Sequence, residues 1–149
     1  MIQKNIYQFL FMFFLLAVLN NYNAQVHKEN WVPIKSINQE RIYVNTVNLE
    51  KNTGDDIYVW VMEEYSLPET MEGIDADIYK TKTYFLLNKR IKRYSILQII
   101  FYDTKGNVLK SYNYTRNMEN QNYKYSSPIL EGSNIEAVLL LCVQHIKSK

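Results

Sequence analysis

YSILQIIFY, residues 94–102, is the stretch from which the rest of the chain can be placed. Read with a period of two, Leu97, Ile99 and Phe101 point one way, and Tyr94, Ile96, Ile100 and Tyr102 the other. Both faces are apolar, which describes a central strand covered on two sides. Its three isoleucines and three aromatic rings weigh against a helix. The turn sequence Asp103-Thr104-Lys105-Gly106-Asn107 follows, and Val108–Tyr114 is expected to pair back across it as a hairpin.

Outward from this strand, the pattern repeats. Trp31–Ile37 reads as a first strand, with Pro33 suited to a sheet edge. Ser36–Glu40 reads as a turn, and Arg41–Leu49 alternates as a second strand. In Asp56–Tyr65, Ile57, Val59 and Val61 form an aliphatic face, and Tyr58, Trp60 and Met62 a bulkier one. Ser66–Ala76 contains Pro68 and Gly73 among acidic residues and is expected to be a long loop. Asp77–Leu87 returns to strand pattern, with Tyr79, Thr81, Thr83, Phe85 and Leu87 opposite Lys80 and Lys82. Thr115–Tyr123 is polar and loop-like. The last element starts with a capping box, Ser133-Asn134-Ile135-Glu136, whose hydroxyl should meet the N3 amide while the carboxylate returns to the cap amide. Ile135, Val138, Leu139, Cys142 and Ile146 then follow helical spacing. Leu140, Leu141 and Val143 widen the stripe, so the helix is expected to sink into the sheet. The fold class is α+β in one domain.

The N-terminus has a different character. One charge, Lys4, precedes the apolar run Phe9–Leu19, and Asn20–Ala24 turns polar before a small residue. That is a signal peptide over residues 1–24, leaving residues 25–149 as the folded domain. The run is shorter than the ~20 residues a membrane span needs. No stable span is therefore expected after cleavage, and the protein is expected in the periplasm, in the medium or at the cell surface. The chain carries 17 basic and 15 acidic residues, so global charge gives no reason to expect nucleic acid. The distribution is uneven: eight acids and no base from Asp55 to Asp77, then six bases and no acid from Lys80 to Arg93. The single cysteine, Cys142, rules out an internal disulfide, so packing alone must hold the core.

Several positions together carry a resemblance. They are Trp31, Trp60, Tyr94, Tyr102-Asp103 with Gly106-Asn107-Val108, Pro128-Ile129, Gly132-Ser133, Glu136 and Cys142. In this order and spacing the chain resembles the surface-adhesin protein E family of small exported bacterial proteins. The resemblance implies an antiparallel sheet of about six strands with a C-terminal helix packed on one face. It also implies a binding module, since the named member engages host extracellular-matrix and plasma glycoproteins. Two departures stand out. The family typically ties the C-terminal Cys to a second one just before the Tyr94-like position, where this chain has Leu87-Asn88-Lys89. The cysteine for a lipid anchor is also missing.

Two surfaces are candidate sites. One is the basic loop Lys89, Arg90, Lys92 and Arg93, extended by Lys80 and Lys82, whose charges suit sulfate and carboxylate groups. The other is an aromatic sheet face on which Tyr58, Trp60, Tyr112 and Tyr114 would stand together. The expected partners are host or envelope glycoproteins or anionic glycans, with a homodimer as a further partner and no cofactor. Cys142 and His145 are three apart on the helix, but Cys142 lies on the apolar stripe and reads as a buried small hydrophobe. The acidic stretch Glu63–Asp77 lacks calcium-loop spacing, so no metal is expected. The sequence therefore points to an exported, non-enzymatic binding module. A self-associating envelope protein is the first alternative, and a small secreted hydrolase or thiol enzyme the second.

Overall fold

Alternating apolar residues from Ile57 onward build the longest hairpin of the molecule. In the computed structural model, which describes residues 29–35, 41–114 and 124–148, its arms are β3 (Asp56–Met71) and β4 (Ile74–Asn88). They follow β1 (Trp31–Pro33) and β2 (Arg41–Asn45), with a 3₁₀ turn at Leu49–Lys51 between β2 and β3. After them come β5 (Arg93–Tyr102), β6 (Val108–Asn113), β7 (Ser127–Pro128) and the helix α1 (Asn134–Lys147). The sheet is antiparallel, in the order β1-β2-β3-β4-β5-β6, with β7 extending the outer edge of β5. The expected leader, the turn Ser36–Glu40 and the loop Thr115–Tyr123 lie outside the described residues. No helix among the described residues is long and apolar enough to cross a membrane.

Cross-strand pairing fixes the faces. Ile57 opposes Leu87, Val59 opposes Phe85 and Val44 opposes Val61. These residues form one core with Val138, Leu139 and Cys142 of α1. The central strand itself departs from strict alternation. Tyr84 opposes Gln98 but the next residue, Phe85, opposes Ile96, so Leu97 is the extra residue of a bulge. Tyr94 and Ile96 therefore share a face with Ile99 and Phe101, rather than with Ile100 and Tyr102 as simple alternation suggests.

The expected loop Ser66–Ala76 is also strand. β2 reaches only as far as Glu64, and β5 ends opposite Lys80. Beyond those pairs β3 and β4 have only each other and run out as a two-stranded ribbon. It closes at Glu72-Gly73, with Gly73 at φ +79°. Pro68 cannot donate to the ladder, and the register slips on either side of Glu69 accommodate it.

The helix starts as its capping sequence dictates, with one change. The Glu136 amide donates to Ser133 Oγ at 3.2 Å. The Glu136 carboxylate accepts the Gly132 amide at 2.7 Å instead of the Ser133 amide, which donates to the Leu130 carbonyl. Only one side of α1 sinks into the core, and Leu140 stays exposed on the other. The chain before the helix is fastened to the sheet at Asp56, whose carboxylate accepts hydrogen bonds from Lys124 (2.7 Å), Tyr125 (2.5 Å) and Asn88 (2.6 Å).

Candidate functional site

The sheet face opposite α1 carries no second layer among the described residues, and its large side chains meet across strands. Trp60 opposes Tyr84, Tyr58 opposes Leu86, Met62 opposes Lys82, and Lys82 in turn opposes Ile100. The Trp60 and Tyr84 rings stack at 4.9 Å with 20° between planes, and Tyr58 leans on Tyr84 at 6.2 Å. With Tyr102 they line a groove of about 610 Å³. Burial raises the Tyr84 phenol above its usual range, and neighbouring Tyr58 adds to the shift.

The groove has a polar rim. On one side the Glu29 carboxylate accepts Lys82 Nζ at 2.8 and 3.0 Å and Trp31 Nε1 at 3.0 Å. Lys82 Nζ also lies 5.0 Å above the Trp31 ring. Burial alone would raise the Glu29 carboxyl, but the hydrogen bonds from Lys82 and Trp31 outweigh it and hold it below its usual range. On the other side are Asn45, Asn52 and Lys51. Asn45 Oδ1 accepts two backbone amides, Asn30 at 3.2 Å and Val47 at 3.1 Å, which fixes its orientation. Its NH₂ group makes no hydrogen bond among the described residues, and neither does the Lys51 ammonium.

The expected site residues separate into groups. Tyr58, Trp60 and Lys82 line the groove, and Lys80 lies 4.8 Å over the Tyr102 ring on the same face. Tyr112 does not join them. It opposes Ile99, which places it on the face that α1 covers elsewhere, where it meets Phe101 edge-on at 6.1 Å and stacks with Tyr114 at 6.5 Å. The four expected rings thus form two pairs on opposite faces, because β6 joins the sheet in a register that no local sequence reveals.

The basic loop is a tight turn, with Lys92 in the left-handed region at φ +52°. Its cations are not equivalent. Arg90 pairs with Asp55 at 2.9 Å, and the Arg93 guanidinium donates to the Tyr125 and Ser126 carbonyls. Lys89 and Lys92 have no ion-pair partner among the described residues. Lys82 sits six positions before Asn88, roughly 20 Å along the strand, so Lys80 and Lys82 do not extend this cluster.

Cys142 is fully buried, and burial pushes its thiol up to about 12. It therefore stays protonated and closed to substrates. Among the described residues no three acidic, histidine or cysteine side chains converge to hold a metal ion. Sequence reasoning did not include Tyr84, Tyr102, Asn45, Lys51 or Glu29 in the site. Tyr84 alone carried a signal, since it has the parity of Lys80 and Lys82.

A single antiparallel sheet, backed on one side by a helix and carrying stacked rings on the other, with no second layer there among the described residues, defines a small α+β protein. The chain belongs to the surface-adhesin protein E family, whose family model matches residues 31–140. The match covers every strand of the main sheet order and reaches into α1. Comparisons with curated proteins and with solved structures give no match.

Proposed function

We propose that this protein is an exported, non-enzymatic adhesin-like module that binds acidic glycans of extracellular or envelope glycoproteins in the aromatic groove. The observation that carries this reading is the Trp60–Tyr84 stack flanked by Tyr58 and Tyr102 inside a polar rim. A sugar ring offers an apolar C–H face to aromatic planes and hydroxyl groups to amides and carboxylates, which is what floor and rim provide. The donors of Asn45 and Lys51, uncommitted among the described residues, suit a sulfate or carboxylate on such a sugar. Family membership supports a surface-adhesin role, and the closed Cys142 removes the best thiol candidate.

Both tryptophans, Trp31 and Trp60, lie on the open face, so the protein carries its own reporter. Titration with heparin-derived oligosaccharides should change tryptophan emission, and Trp60→Ala should weaken binding at least about tenfold without lowering the melting temperature much. Lys51→Glu should weaken binding of sulfated but not of neutral oligosaccharides. Unaltered affinity in Trp60→Ala would remove the groove from the function. Light scattering that finds a dimer dissociated by Trp60→Ala would turn the reading to self-association.

A further inference from the structure

A second depression lies on the other side of the molecule, between the β4–β5 turn and the helix. It encloses about 300 Å³. Its walls are Leu139, Leu140, Val143 and Ile146 of α1, and its rim is Lys89, Lys92 and Lys147. None of these three ammonium groups has an ion pair or hydrogen bond to another side chain among the described residues. Leu140, in the wall, is 57% exposed, and Ile91, between Arg90 and Lys92 in the turn but outside the lining of the depression, is 48% exposed. Exposed aliphatic side chains occur elsewhere on the molecule, at Leu67, Val108 and Leu130, but Leu140 stands in the wall of a depression rimmed by lysines.

From this juxtaposition we infer that the turn and the outer side of α1 form a docking surface for an anionic lipid leaflet. Lys89, Lys92 and Lys147 would meet headgroup phosphates while Ile91 and Leu140 enter the acyl boundary. Charge complementarity favours this occupant: three cations with no ion pair among the described residues, around an apolar floor, fit a partner that is anionic at its surface and apolar just beneath it. A neutral protein groove would leave the cations unmatched. The site lies on the α1 side, opposite the aromatic groove, so both can be occupied together. The inference does not depend on what the groove binds.

The test uses the protein as exported and vesicles of phosphatidylglycerol and phosphatidylcholine in co-sedimentation at low salt. The chain should bind mixed vesicles, bind pure phosphatidylcholine poorly, and come off as salt rises. Leu140→Asp and the pair Lys89→Glu with Lys92→Glu should each weaken binding at least about tenfold, given about fivefold per basic residue near such a surface. Ile91→Ser, at a turn tip and away from the helix, gives a second apolar variant if Leu140→Asp does not fold. Absence of binding to mixed vesicles by the parent overturns the proposal. So does binding lost only with the lysines while folded apolar variants keep it, since that is diffuse charge attraction. A dimer in light scattering that Leu140→Asp dissociates overturns it as well, assigning the face to a second copy.

Discussion

Leu139 and Leu140 are consecutive and identical but differ in burial. Leu139 is 1% exposed in the core and Leu140 is 57% exposed beside the lysines. Leu139→Ala should cost about 2–4 kcal/mol, because it removes buried methyl groups and leaves a cavity. Leu140→Ala should stay within about 0.5 kcal/mol. Urea unfolding of both variants measures the contrast, and equal losses would place Leu140 in the core. Cys142 gives a second residue-scale prediction. The thiolate is the reactive form, and a buried thiol raised to about 12 supplies almost none at neutral pH. An aromatic disulfide reagent at about pH 8 should label the native protein only as it opens, and the urea-unfolded protein at once. Immediate labelling of the native chain would mean that the helix does not cover this residue. Leu87 of β4 shares the core with Cys142, so apolar packing joins that strand to the helix.

At the scale of elements, the helix depends on a latch. Asp56 at the start of β3 gathers Asn88, Lys124 and Tyr125, and Ser95 holds the same segment by accepting the Ser126 amide at 2.9 Å and donating to the Lys124 carbonyl at 2.8 Å. Burial would raise the Asp56 carboxyl, but hydrogen bonds from Lys124, Tyr125 and Asn88 prevail and depress it. A depressed carboxyl stabilises the fold above its unfolded pKa of about 3.9, and that contribution fades as pH falls through the folded value. Lys124 is raised, chiefly by its hydrogen bond to Asp56, so its contribution fades only in strong alkali. Asp56→Asn should therefore lower stability by about 1–3 kcal/mol at neutral pH. Its deficit should shrink once the pH falls below that unfolded value and on through the depressed folded one, where the parent loses the same charge. Urea midpoints for both proteins across that range decide it; a constant deficit would show that the carboxylate charge is irrelevant. The strands and the helix start were legible in sequence because alternation and capping are local signals. The ribbon was not, since Pro68 and Gly73 signal a break when the partner strand is unseen. Nor was the Leu97 bulge, which sends Tyr94 to the face of α1, or the register that parts Tyr112 from Trp60. Those features belong to pairing between distant segments, and one segment read alone does not contain them.

For the whole molecule, the uneven charge of the sequence becomes a long axis. The ribbon carries Glu69, Glu72, Asp75 and Asp77 towards its tip, while Lys89, Lys92 and Lys147 gather at the far end of the same hairpin. Fifteen residues of β4 separate the two ends, roughly 50 Å if extended. An anionic surface would attract one end and repel the other, so the molecule should stand on such a surface with its ribbon outward and its aromatic groove clear of it. The buried Cys142 makes this measurable, because a cysteine introduced on the surface can be labelled selectively in the native state. Ile91→Cys at the basic turn and Glu72→Cys at the ribbon tip, each carrying a polarity-sensitive dye, would report the two ends. On phosphatidylglycerol-containing vesicles the dye at position 91 should shift to the blue and resist aqueous quencher, while that at position 72 should behave as in water. Reversed or equal responses would show that the charge axis does not orient the chain, and the groove would then have no fixed direction relative to the surface.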